Sequence, residues 1–444
     1  MRTAFLFTRD LRLQDNEALS HAAKTSSEVL AAYRVPQDFD ALSPIRQHSL
    51  VESLRALSSS LPRGLSIFGK ELVVELKQQR IERVVSTRSY ETRGMLEQAQ
   101  LASDLYESGI ALELIGSNYA VTPGSINKDD GTALKVYTPF YKRWLNHGWS
   151  QPVVLNVAAV NWLAAHRAEL PKPNAAAPIR INAGEAQALR TWERFKSSRL
   201  SGYEENRNRM DLGGTSHLSH ALAHGEIHPR TLLTELSDAA GHEVFRKEIA
   251  WREFYADVLY RNPHTIDDYY EPRFQKMRYS DPIKDKALLD TWKQGRTGYP
   301  VVDAAMRQLN ETGWMHNRAR MIVASFLVKD LHFEWQIGAR YFEERLTDFD
   351  PASNSHGWQW TAGCGTDASP YYRVFNPVTQ GEKFDPEGNY VRRFVPELRH
   401  IDSKLIHSPW DLIDGYLHGY PERIVDHAKE REEALARLEE IKNR

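Results

Sequence analysis

The chain has 444 residues, with 57 Lys and Arg side chains, 59 Asp and Glu side chains and a formal net charge of −2. This balance excludes a protein that holds nucleic acid or an anionic membrane through its overall charge, although it allows a local basic patch. The length predicts two or three domains of about 100–200 residues each. The single cysteine, Cys364, excludes an internal disulfide, as is usual in a reducing cytosol.

The apolar runs of the sequence are too short for a signal peptide or a membrane span. The first run meets a charge at Arg9, whereas a signal peptide needs about 7–15 apolar residues and a transmembrane helix about 20. The sequence therefore predicts a soluble, cytoplasmic protein that has no membrane partner.

Residues 1–135 alternate short β-branched or apolar runs with helical stretches. The predicted strands are Thr3–Thr8, Glu28–Val35, Leu65–Phe68, Arg83–Thr87 and Ala111–Ile115. The predicted helices between them are Glu17–Ala23, Ile45–Leu61, Glu71–Gln79 and Arg93–Ser108. Because such alternation is typical of a parallel sheet with helices on both faces, we expect an α/β N-terminal domain with a doubly wound parallel sheet.

Residues 136–185 are predicted to link two domains, and residues 186–444 to form an all-α domain. The linker is indicated by Pro152, Pro171, Pro173, Pro178 and the run Asn174–Ala177. Helical periodicity dominates the residues that follow. The predicted helices are Ala186–Ser198, Arg230–Ala240, Glu243–Arg261, Pro300–Thr312, Arg318–Lys329, Trp335–Leu346 and Ile424–Lys442.

Several common catalytic motifs are missing from the sequence. It has no GxGxxG, and the glycine spacing of a P-loop at Gly64 and Gly69 is followed by Glu71, where Ser or Thr would hold magnesium. It has no HExxH, CxxC or GxSxG. His217, His220 and His224 share one face of a predicted helix, but no carboxylate joins them, so we expect no metal site.

Two constellations of the C-terminal half could bind an anionic or flat ligand. The segment GGTSHLS (213–219) precedes a helical stretch, where free backbone N–H groups form either an anion site or a plain helix cap. Glu248 and Trp251 lie three residues apart on one helical face. This pair suits a cleft that stacks a flat ligand and forms a hydrogen bond with it, or else is a solvated Glu beside a core Trp.

Three further groups of residues have ambiguous local interpretations. Arg320 with the acids of DFD (348–350) forms either a binding site or a surface ion pair. Trp358 and Trp360 point to one side of an extended segment but to different sides of a helix. The segment MHNRARM (315–321) is either a site or an ordinary polar helix start.

Taken together, these segments resemble the DNA photolyase/cryptochrome family over nearly the whole chain. The similarity is carried by FTRDLRLQDN (7–16), VYTPFYKRW (136–144), WREFY (251–255), GWMHNR (313–318), GWQW (357–360) and FNPVTQG (375–381). The resemblance implies an N-terminal α/β antenna domain and a C-terminal all-α domain that binds a U-shaped FAD.

The resemblance also implies roles around the flavin. Tyr203 and the segment TSHLS would contact the phosphates, Arg252 would be a further contact, Asp348 and Asp350 would lie near the ring and ribose, and Asn354 would face N5. Arg320 would pair with Asp348. The implied FAD residues are Tyr203, Thr215, Ser216, His217, Leu218, Ser219, Arg252, Arg320, Asp348, Phe349, Asp350 and Asn354.

The branch that the sequence resembles most is the cyclobutane pyrimidine dimer photolyases. There, excited reduced FAD gives one electron to a flipped-out dimer, the cyclobutane ring splits, and the electron returns. Glu248 would hydrogen-bond the dimer, Trp251 and Trp360 would form an apolar wall, and Met321 would touch the lesion. The other residues expected to border the DNA are Arg252, Tyr255, Asn317, Arg318 and Gln380, with Arg273, Lys276 and Arg278 at the rim.

Two features depart from the family pattern. The electron relay of the family has three Trp, of which Trp358 and Trp335 match two, but residues 278–290 contain no third Trp; Tyr279, Trp292 or another route could replace it. The antenna loop reads SYETRG (89–94) and lacks the Asn-Glu pair of folate-binding members. The sequence therefore does not decide whether a second chromophore is present, or whether it would be deazaflavin or methenyltetrahydrofolate.

Three rival functions are compatible with the same residues. A cryptochrome would share fold and FAD without repairing DNA. A photolyase for the (6-4) lesion would need a His beside the lesion, and His316 is nearby in sequence. A plain adenine-nucleotide-binding protein would lack redox chemistry. The lesion-side residues favour repair of DNA that contains pyrimidine dimers over these rivals. We expect the protein to act as a monomer.

Overall fold

The computed structural model describes residues 1–166, 169–175, 181–367, 372–402 and 404–442. Two compact units are present, one of Met1–Ser201 with Ser216–Pro263 and one of Gly202–Thr215 with His264–Arg444. The predicted domain limits at residues 135 and 185 stay a prediction. Of the residues that indicated the linker, Pro178 and the last two of the run Asn174–Ala177 lie outside the described residues.

A five-stranded parallel sheet forms the centre of the first unit, as predicted. Its order is β3–β2–β1–β4–β5, and neighbouring strands pair in parallel. The chain begins at the middle strand and winds outward in both directions, which requires crossover helices. The strands are β1 (Arg2–Phe7), β2 (Glu28–Arg34), β3 (Ser66–Phe68), β4 (Arg83–Thr87) and β5 (Ala111–Ile115).

Eighteen α-helices lie in the described part of the chain. The helices of the N-terminal half are α1 (Glu17–Thr25), α2 (Pro44–Ser60), α3 (Leu72–Gln78), α4 (Thr92–Glu107), α5 (Tyr137–His147), α6 (Glu185–Ser198), α7 (Tyr203–Asn206), α8 (Ser219–His224) and α9 (Pro229–Leu233). Those that follow are α10 (Ala240–Arg261), α11 (Lys286–Gln294), α12 (Pro300–Thr312), α13 (Asn317–Ser325), α14 (Trp335–Arg345), α15 (Pro351–Ala362), α16 (Pro377–Phe384), α17 (Asn389–Phe394) and α18 (His427–Lys442). In the described part of the chain, no helix is long and apolar enough to cross a membrane.

The sheet carries a hydrophobic core on each face, which confirms the doubly wound architecture. Successive residues of a strand point to opposite faces, and here both sets are apolar. One core joins Phe5 and Phe7 of β1 to Leu19 of α1 and Leu54 of α2. The other core joins alternate strand residues to α3 and α4, with members Ala4, Leu6, Leu30, Ala32, Val84, Leu72, Leu76, Leu101 and Leu105.

The helical core of the second unit is rich in tryptophan. Trp292, Trp335 and Trp358 are buried in one cluster. Gly338 of α14 allows α15 to approach closely, because a Cβ at this position would lie 2.1 Å from Cη2 of Trp358. The packing of α14 on α15 therefore depends on a glycine that has no side chain to clash.

Two predicted helices end several residues earlier in the structure than the sequence predicted. The helix predicted for Arg230–Ala240 ends at Leu233, because Ser237 is held outside it: His242 accepts from the Ser237 N–H at 3.0 Å and Arg246 donates to its carbonyl at 2.9 Å. The helix predicted for Arg318–Lys329 ends at Ser325 and continues as a π-helical turn, Phe326–Asp330. π-Turns arise from tertiary packing and leave no periodicity signal.

Candidate functional site

The start of α15 holds two of the acids that the sequence singled out. Asp350 is the N-cap of the helix, and its Oδ1 accepts from the Ser353 N–H at 2.9 Å. Pro351 follows at the first helical position, where the missing N–H costs nothing. An Asp followed by a Pro strongly favours a helix start, so the local sequence is sufficient to place the start of α15 directly after Asp350.

Arg320 and Asp348 form a largely buried ion pair. Nη2 of Arg320 donates to Oδ2 of Asp348 at 2.6 Å, and Nε of Arg320 donates to the Met315 carbonyl at 2.9 Å. The Asp348 side chain is fully buried, whereas that of Arg320 is 26% exposed. The pairing that the resemblance implies is therefore present in the structure.

The second carboxylate oxygen of Asp348 has no hydrogen-bond partner among the described residues. A buried acceptor that lacks a donor costs about 1–3 kcal/mol, so such an atom indicates a missing donor. The flavin ring carries an N–H group of this kind, and the orphaned oxygen therefore fits a bound FAD.

Asn354 lies one helical turn after Asp350 and one turn before Trp358. Its Nδ2 donates to the Ala339 carbonyl at 3.0 Å, which orients the amide. The side chain keeps its carbonyl oxygen as an acceptor and a second N–H as a donor. Such an amide can bond to a flavin nitrogen that carries a proton as well as to one that does not.

The residues that the resemblance assigns to the phosphates are divided between the two units. Tyr203, at the start of α7, and Thr215 belong to the second unit, and Ser216–Ser219 belong to the first. The hydroxyl of Ser216 accepts from the Leu218 N–H at 3.4 Å, and His217 has a positive φ of 55°.

The anion-site interpretation of this segment gains no support from helix geometry. A helix does follow the segment, but α8 has only six residues. Its aligned peptide dipoles are too few to make an anion site of its N-terminus. The expectation that three histidines share one helical face is also wrong, because His217 precedes α8 and only His220 and His224 lie on it. Within the described residues no group of His, Cys, Asp and Glu could hold a metal ion.

Helix α10 presents Glu248, Trp251 and Tyr255 as half-buried residues of the first unit. The Trp251 ring lies flat on Tyr137 of α5, with ring centroids 3.7 Å apart and an interplanar angle of 6°. The Tyr255 ring lies 5.4 Å from Trp251. Trp251 is therefore held rigidly by a stacked partner while it stays partly exposed, which distinguishes it from a core tryptophan.

Tyr137 is the residue of this cluster that the sequence did not single out. It lies inside VYTPFYKRW (136–144), which carried the family resemblance without a role for any one residue. Its hydroxyl donates to the Lys247 carbonyl at 2.8 Å, which anchors the ring. The separation between positions 137 and 251 left no local signal that could have joined the two rings.

Arg252 is held by backbone carbonyls of the first unit. Nη1 donates to the Asn118 carbonyl at 3.2 Å and Nη2 to the Leu222 carbonyl at 3.4 Å. The guanidinium also lies 4.6 Å above the Tyr119 ring, within the range of a cation–π contact. Its positive charge is not neutralised by these contacts and stays available to an anionic group.

The start of α13 brings together Asn317, Arg318 and Met321. Nδ1 of His316 caps the helix by accepting from the Arg318 N–H at 3.1 Å. The Arg318 guanidinium donates to Asn208 at 2.8 Å and lies 4.5 Å above the Phe384 ring. Asn317 is exposed, and Met321 is half-buried. The segment MHNRARM (315–321) is therefore a polar helix start, which is one of its two predicted interpretations. This local structure is also compatible with a binding role.

Trp358 and Trp360 lie on different faces of α15, which settles the ambiguity of the sequence. Trp358 is 3% exposed and packs edge-on to Phe342 at 5.0 Å. Trp360 is half-buried. Gln380 is likewise half-buried, on α16. The predicted roles of Trp360 and Gln380 in DNA binding stay predictions.

The predicted basic rim is partly neutralised by acids. Arg278 pairs with Glu440 at 2.8 Å and Glu433 at 3.1 Å, both on α18. Arg273 lies 3.8 Å from Glu271. Both arginines are exposed, so these pairs contribute little to stability, yet they lower the positive charge of this surface.

Comparison with known proteins identifies the family. A family model described as DNA photolyase matches residues 3–156, and one described as the FAD-binding domain of DNA photolyase matches residues 245–440. Curated relatives named deoxyribodipyrimidine photo-lyase include those of Vibrio cholerae, 38% identical over 97% of both chains, and Escherichia coli, 36% identical over 98% of this chain and 97% of the relative.

Solved structures agree with these sequence matches. A bacterial class III photolyase from Agrobacterium tumefaciens is 35% identical, with a TM-score of 0.87, and covers 100% of this chain and 98% of its own. An archaeal photolyase from Sulfolobus tokodaii, described with two FAD molecules, is 25% identical with a TM-score of 0.85; 99% of this chain and 100% of that chain are covered. FAD is therefore the cofactor, as predicted, whereas the identity of a second pigment stays a prediction. By sequence and by fold, the chain belongs to the DNA photolyase family.

Proposed function

We propose that this enzyme repairs cyclobutane pyrimidine dimers in DNA under light, by electron transfer from reduced FAD to a flipped-out lesion. The observation that carries the proposal is the Trp251–Tyr137 stack on the helix that also bears Glu248. A rigid, partly exposed indole three residues from a carboxyl group provides an apolar wall and a hydrogen bond in one place. A cyclobutane dimer needs both, because its saturated rings are apolar while its carbonyls are polar.

The flavin-side residues have separate tasks. Bound FAD supplies the one-electron chemistry. Asp348 accepts from a ring N–H through its orphaned Oδ1, and Arg320 balances the charge of that carboxylate. Asn354, oriented by Ala339, bonds to a ring nitrogen in either of its protonation states.

The lesion-side residues act through charge and contact. Glu248 in its protonated form donates to a dimer carbonyl, and this bond strengthens as negative charge develops on the dimer. Trp251 and Trp360 exclude water from the rings, and Met321 adds a polarisable contact. A dimer is poorly stacked and weakly paired, so flipping it costs less than flipping a normal base.

DNA is held by a local patch, since the net charge of −2 provides no general attraction. To this contact we assign Arg252 and Tyr255 of the first unit and Arg318, Asn317 and Gln380 of the second. The enzyme acts as a monomer in the cytoplasm, where reducing conditions favour the active flavin.

A cryptochrome is the alternative function, and one comparison is compatible with it. A Synechocystis cryptochrome structure is 26% identical to this chain with a TM-score of 0.86, so the fold alone does not separate receptor from repair enzyme. Half-buried Trp251, Met321 and Trp360, which the repair proposal needs, favour the enzyme.

A substrate panel tests the proposal. Purified protein with reduced FAD is mixed with three oligonucleotides, which carry a cyclobutane dimer, a (6-4) lesion or no damage, in blue light and in the dark. We expect the loss of the cyclobutane dimer in light only. Repair of the (6-4) lesion would reassign the substrate, and no repair of either lesion would favour the cryptochrome.

A further inference from the structure

In the buried cluster of the second unit, Trp335 packs against a tyrosine that is hydrogen-bonded to a carboxylate. The Tyr269 ring packs edge-on to Trp335, with ring centroids 6.2 Å apart and an angle of 90°. The Tyr269 hydroxyl donates to Oε1 of Glu334 at 3.2 Å. Glu334 is the N-cap of α14, directly before Trp335, so one helix start positions both the indole and the carboxylate.

We propose that Tyr269 is the terminal electron donor during photoreduction of oxidised flavin, and that Glu334 accepts its proton. One electron passes from Tyr269 to the oxidised indole of Trp335, and the phenolic proton moves to Glu334 Oε1. The products are a neutral tyrosyl radical, a neutral indole and a carboxylic acid. The oxidant is the light-excited oxidised flavin. Trp358 and Trp335 share one buried cluster, and Trp358 packs against Gly338 of the helix that Trp335 starts, so we assign the passage of the electron to these two rings.

The two tryptophans are suited to pass charge onward and not to keep it. Trp335 and Trp358 are 1% and 3% exposed. Their indole N–H groups have no acceptor within the described residues. An oxidised indole that cannot release its proton stays a cation and a strong oxidant. Trp358 lies one turn after Asn354 on α15, so the route begins beside a residue proposed to bond to the flavin.

Tyr269 is suited to hold the charge. Burial and the nearby Glu334 carboxylate raise its pKa, so the phenol carries its proton before oxidation. Loss of that proton to Glu334 leaves an uncharged radical, which needs no solvation in the buried site. Back-transfer then requires the proton to return together with the electron, and this slows recombination.

A second tyrosine near the cluster provides an internal contrast. The Trp292 ring lies 6.3 Å from Trp358, and the Tyr341 ring lies 5.8 Å from Trp292. The Tyr341 hydroxyl bonds to the amide oxygen of Asn310 at 2.5 Å, and an amide is too weak a base to take the proton. Lys293 and Arg345 each lie 5.4 Å from the Tyr341 ring, and two cations oppose its oxidation.

Tyr279 lies beside Tyr269 but is not the terminal donor. Its ring lies 6.3 Å from Tyr269 at an angle of 24°, and its hydroxyl donates to the Phe274 carbonyl at 3.1 Å. A backbone carbonyl is also too weak a base to accept the proton. Of these two tyrosines, therefore, Tyr269 is the one whose hydroxyl donates to a carboxylate, that of Glu334.

Time-resolved EPR and transient absorption of the oxidised holoenzyme after a light flash test the proposal. We expect the signature of a neutral tyrosyl radical in the wild type, with slower formation in D₂O. Tyr269→Phe and Glu334→Gln are expected to lose this signature and to show a short-lived tryptophanyl radical instead. Tyr341→Phe, the matched control, is expected to behave as the wild type. Glu334→Gln leaves the Tyr269 and Trp335 rings unchanged, so it tests the proposal even if Tyr269→Phe does not fold.

Three results would overturn the proposal: only tryptophanyl radicals in the wild type, a tyrosyl radical that persists in Tyr269→Phe, or its loss in Tyr279→Phe while Tyr269 is intact. The test depends on bound flavin and not on the lesion. Repair by chemically reduced Tyr269→Phe is expected to be unchanged, so a failure of the proposed repair function and a failure of this route give different results.

Discussion

Arg320 donates to one oxygen of Asp348 at 2.6 Å, while the other oxygen of this buried carboxylate has no partner among the described residues. Arg320 therefore balances the charge of Asp348, but Oδ1 of Asp348 remains as an acceptor for a ligand. A ligand N–H that completes the hydrogen bond would be held in a fixed direction, which is what orientation of a redox ring requires.

Asp348→Asn is expected to lower the FAD content of the purified protein. The amide cannot balance Arg320, and breaking a buried hydrogen bond to a charged group costs about 1.5–3 kcal/mol. The ratio of flavin to protein absorbance measures the effect. Asp38→Asn, which breaks the exposed Arg93–Asp38 pair at 2.8 Å, is the control and is expected to keep full FAD content. Unchanged FAD content in Asp348→Asn would remove Asp348 from the flavin site.

Glu248→Gln is expected to lower the repair yield more than the DNA affinity. Glutamine keeps the shape and can still donate, but its N–H is a much weaker acid, so it stabilises the charged dimer less. Dimer loss per absorbed photon and the Kd for damaged DNA are measured on the same preparation. Glu243→Gln, on the same helix but bonded to the Tyr141 hydroxyl at 2.8 Å, is the control. Equal repair per photon in Glu248→Gln would contradict the role.

Tyr137→Leu is expected to weaken binding of dimer-containing DNA without changing the binding of undamaged DNA. The stack on Trp251 contributes about 0.5–1.5 kcal/mol beyond burial and keeps the indole ordered before DNA binds. Without the stack, binding has to order the indole, so we expect the affinity to fall by up to about 2- to 13-fold. Titration of both DNAs by fluorescence anisotropy measures this difference. An equal loss of affinity for both DNAs would mean that the ring acts on the fold and not on the lesion.

Trp358→Phe is expected to block photoreduction of oxidised FAD and to leave repair by chemically reduced enzyme intact. The indole is the buried ring one turn after Asn354, and phenylalanine is much harder to oxidise. The decay of the oxidised flavin absorbance under blue light is the measurement. Normal photoreduction in this variant would exclude the route through Trp358.

The logarithm of the affinity for damaged duplex DNA is expected to fall linearly with the logarithm of the salt concentration. Each neutralised phosphate contributes a slope of about −0.9, and we expect only a few such phosphates. Arg252 and Arg318 carry this contact, whereas Arg278 is already paired with Glu433 and Glu440. Arg318→Gln is expected to reduce the slope by about one phosphate and Arg278→Gln to leave it unchanged. A slope that corresponds to about ten phosphates would require a much larger surface.

Elements with strong local signals could be predicted to the residue. The strands Arg83–Thr87 and Ala111–Ile115 and the helix Pro300–Thr312 have the predicted limits. The helix is bounded by Pro300 at its first position and by Gly313, whose φ of 65° ends it. A proline start and a left-handed glycine end are readable from sequence because each acts within one turn.

Long-range relationships could not be predicted in the same way. The sequence did not show whether the segment with Trp358 and Trp360 is a helix or an extended strand. The reason is that α15 is buried on more than one side, so its apolar residues follow no helical period. The Trp251–Tyr137 stack and the Tyr269–Trp335 contact each join residues far apart in the chain. Sequence reasoning found Trp251 and Trp335 but not their partners, since only the fold brings these rings together.

The measurement that tests the central claim most directly is the number of cyclobutane dimers lost per photon absorbed by the reduced holoenzyme. The substrate is an oligonucleotide with a single dimer, with a dark sample as reference. The account predicts dimer loss in every illuminated sample that contains reduced FAD and none in the dark. Full FAD content and bound lesion without any dimer loss under illumination would contradict it.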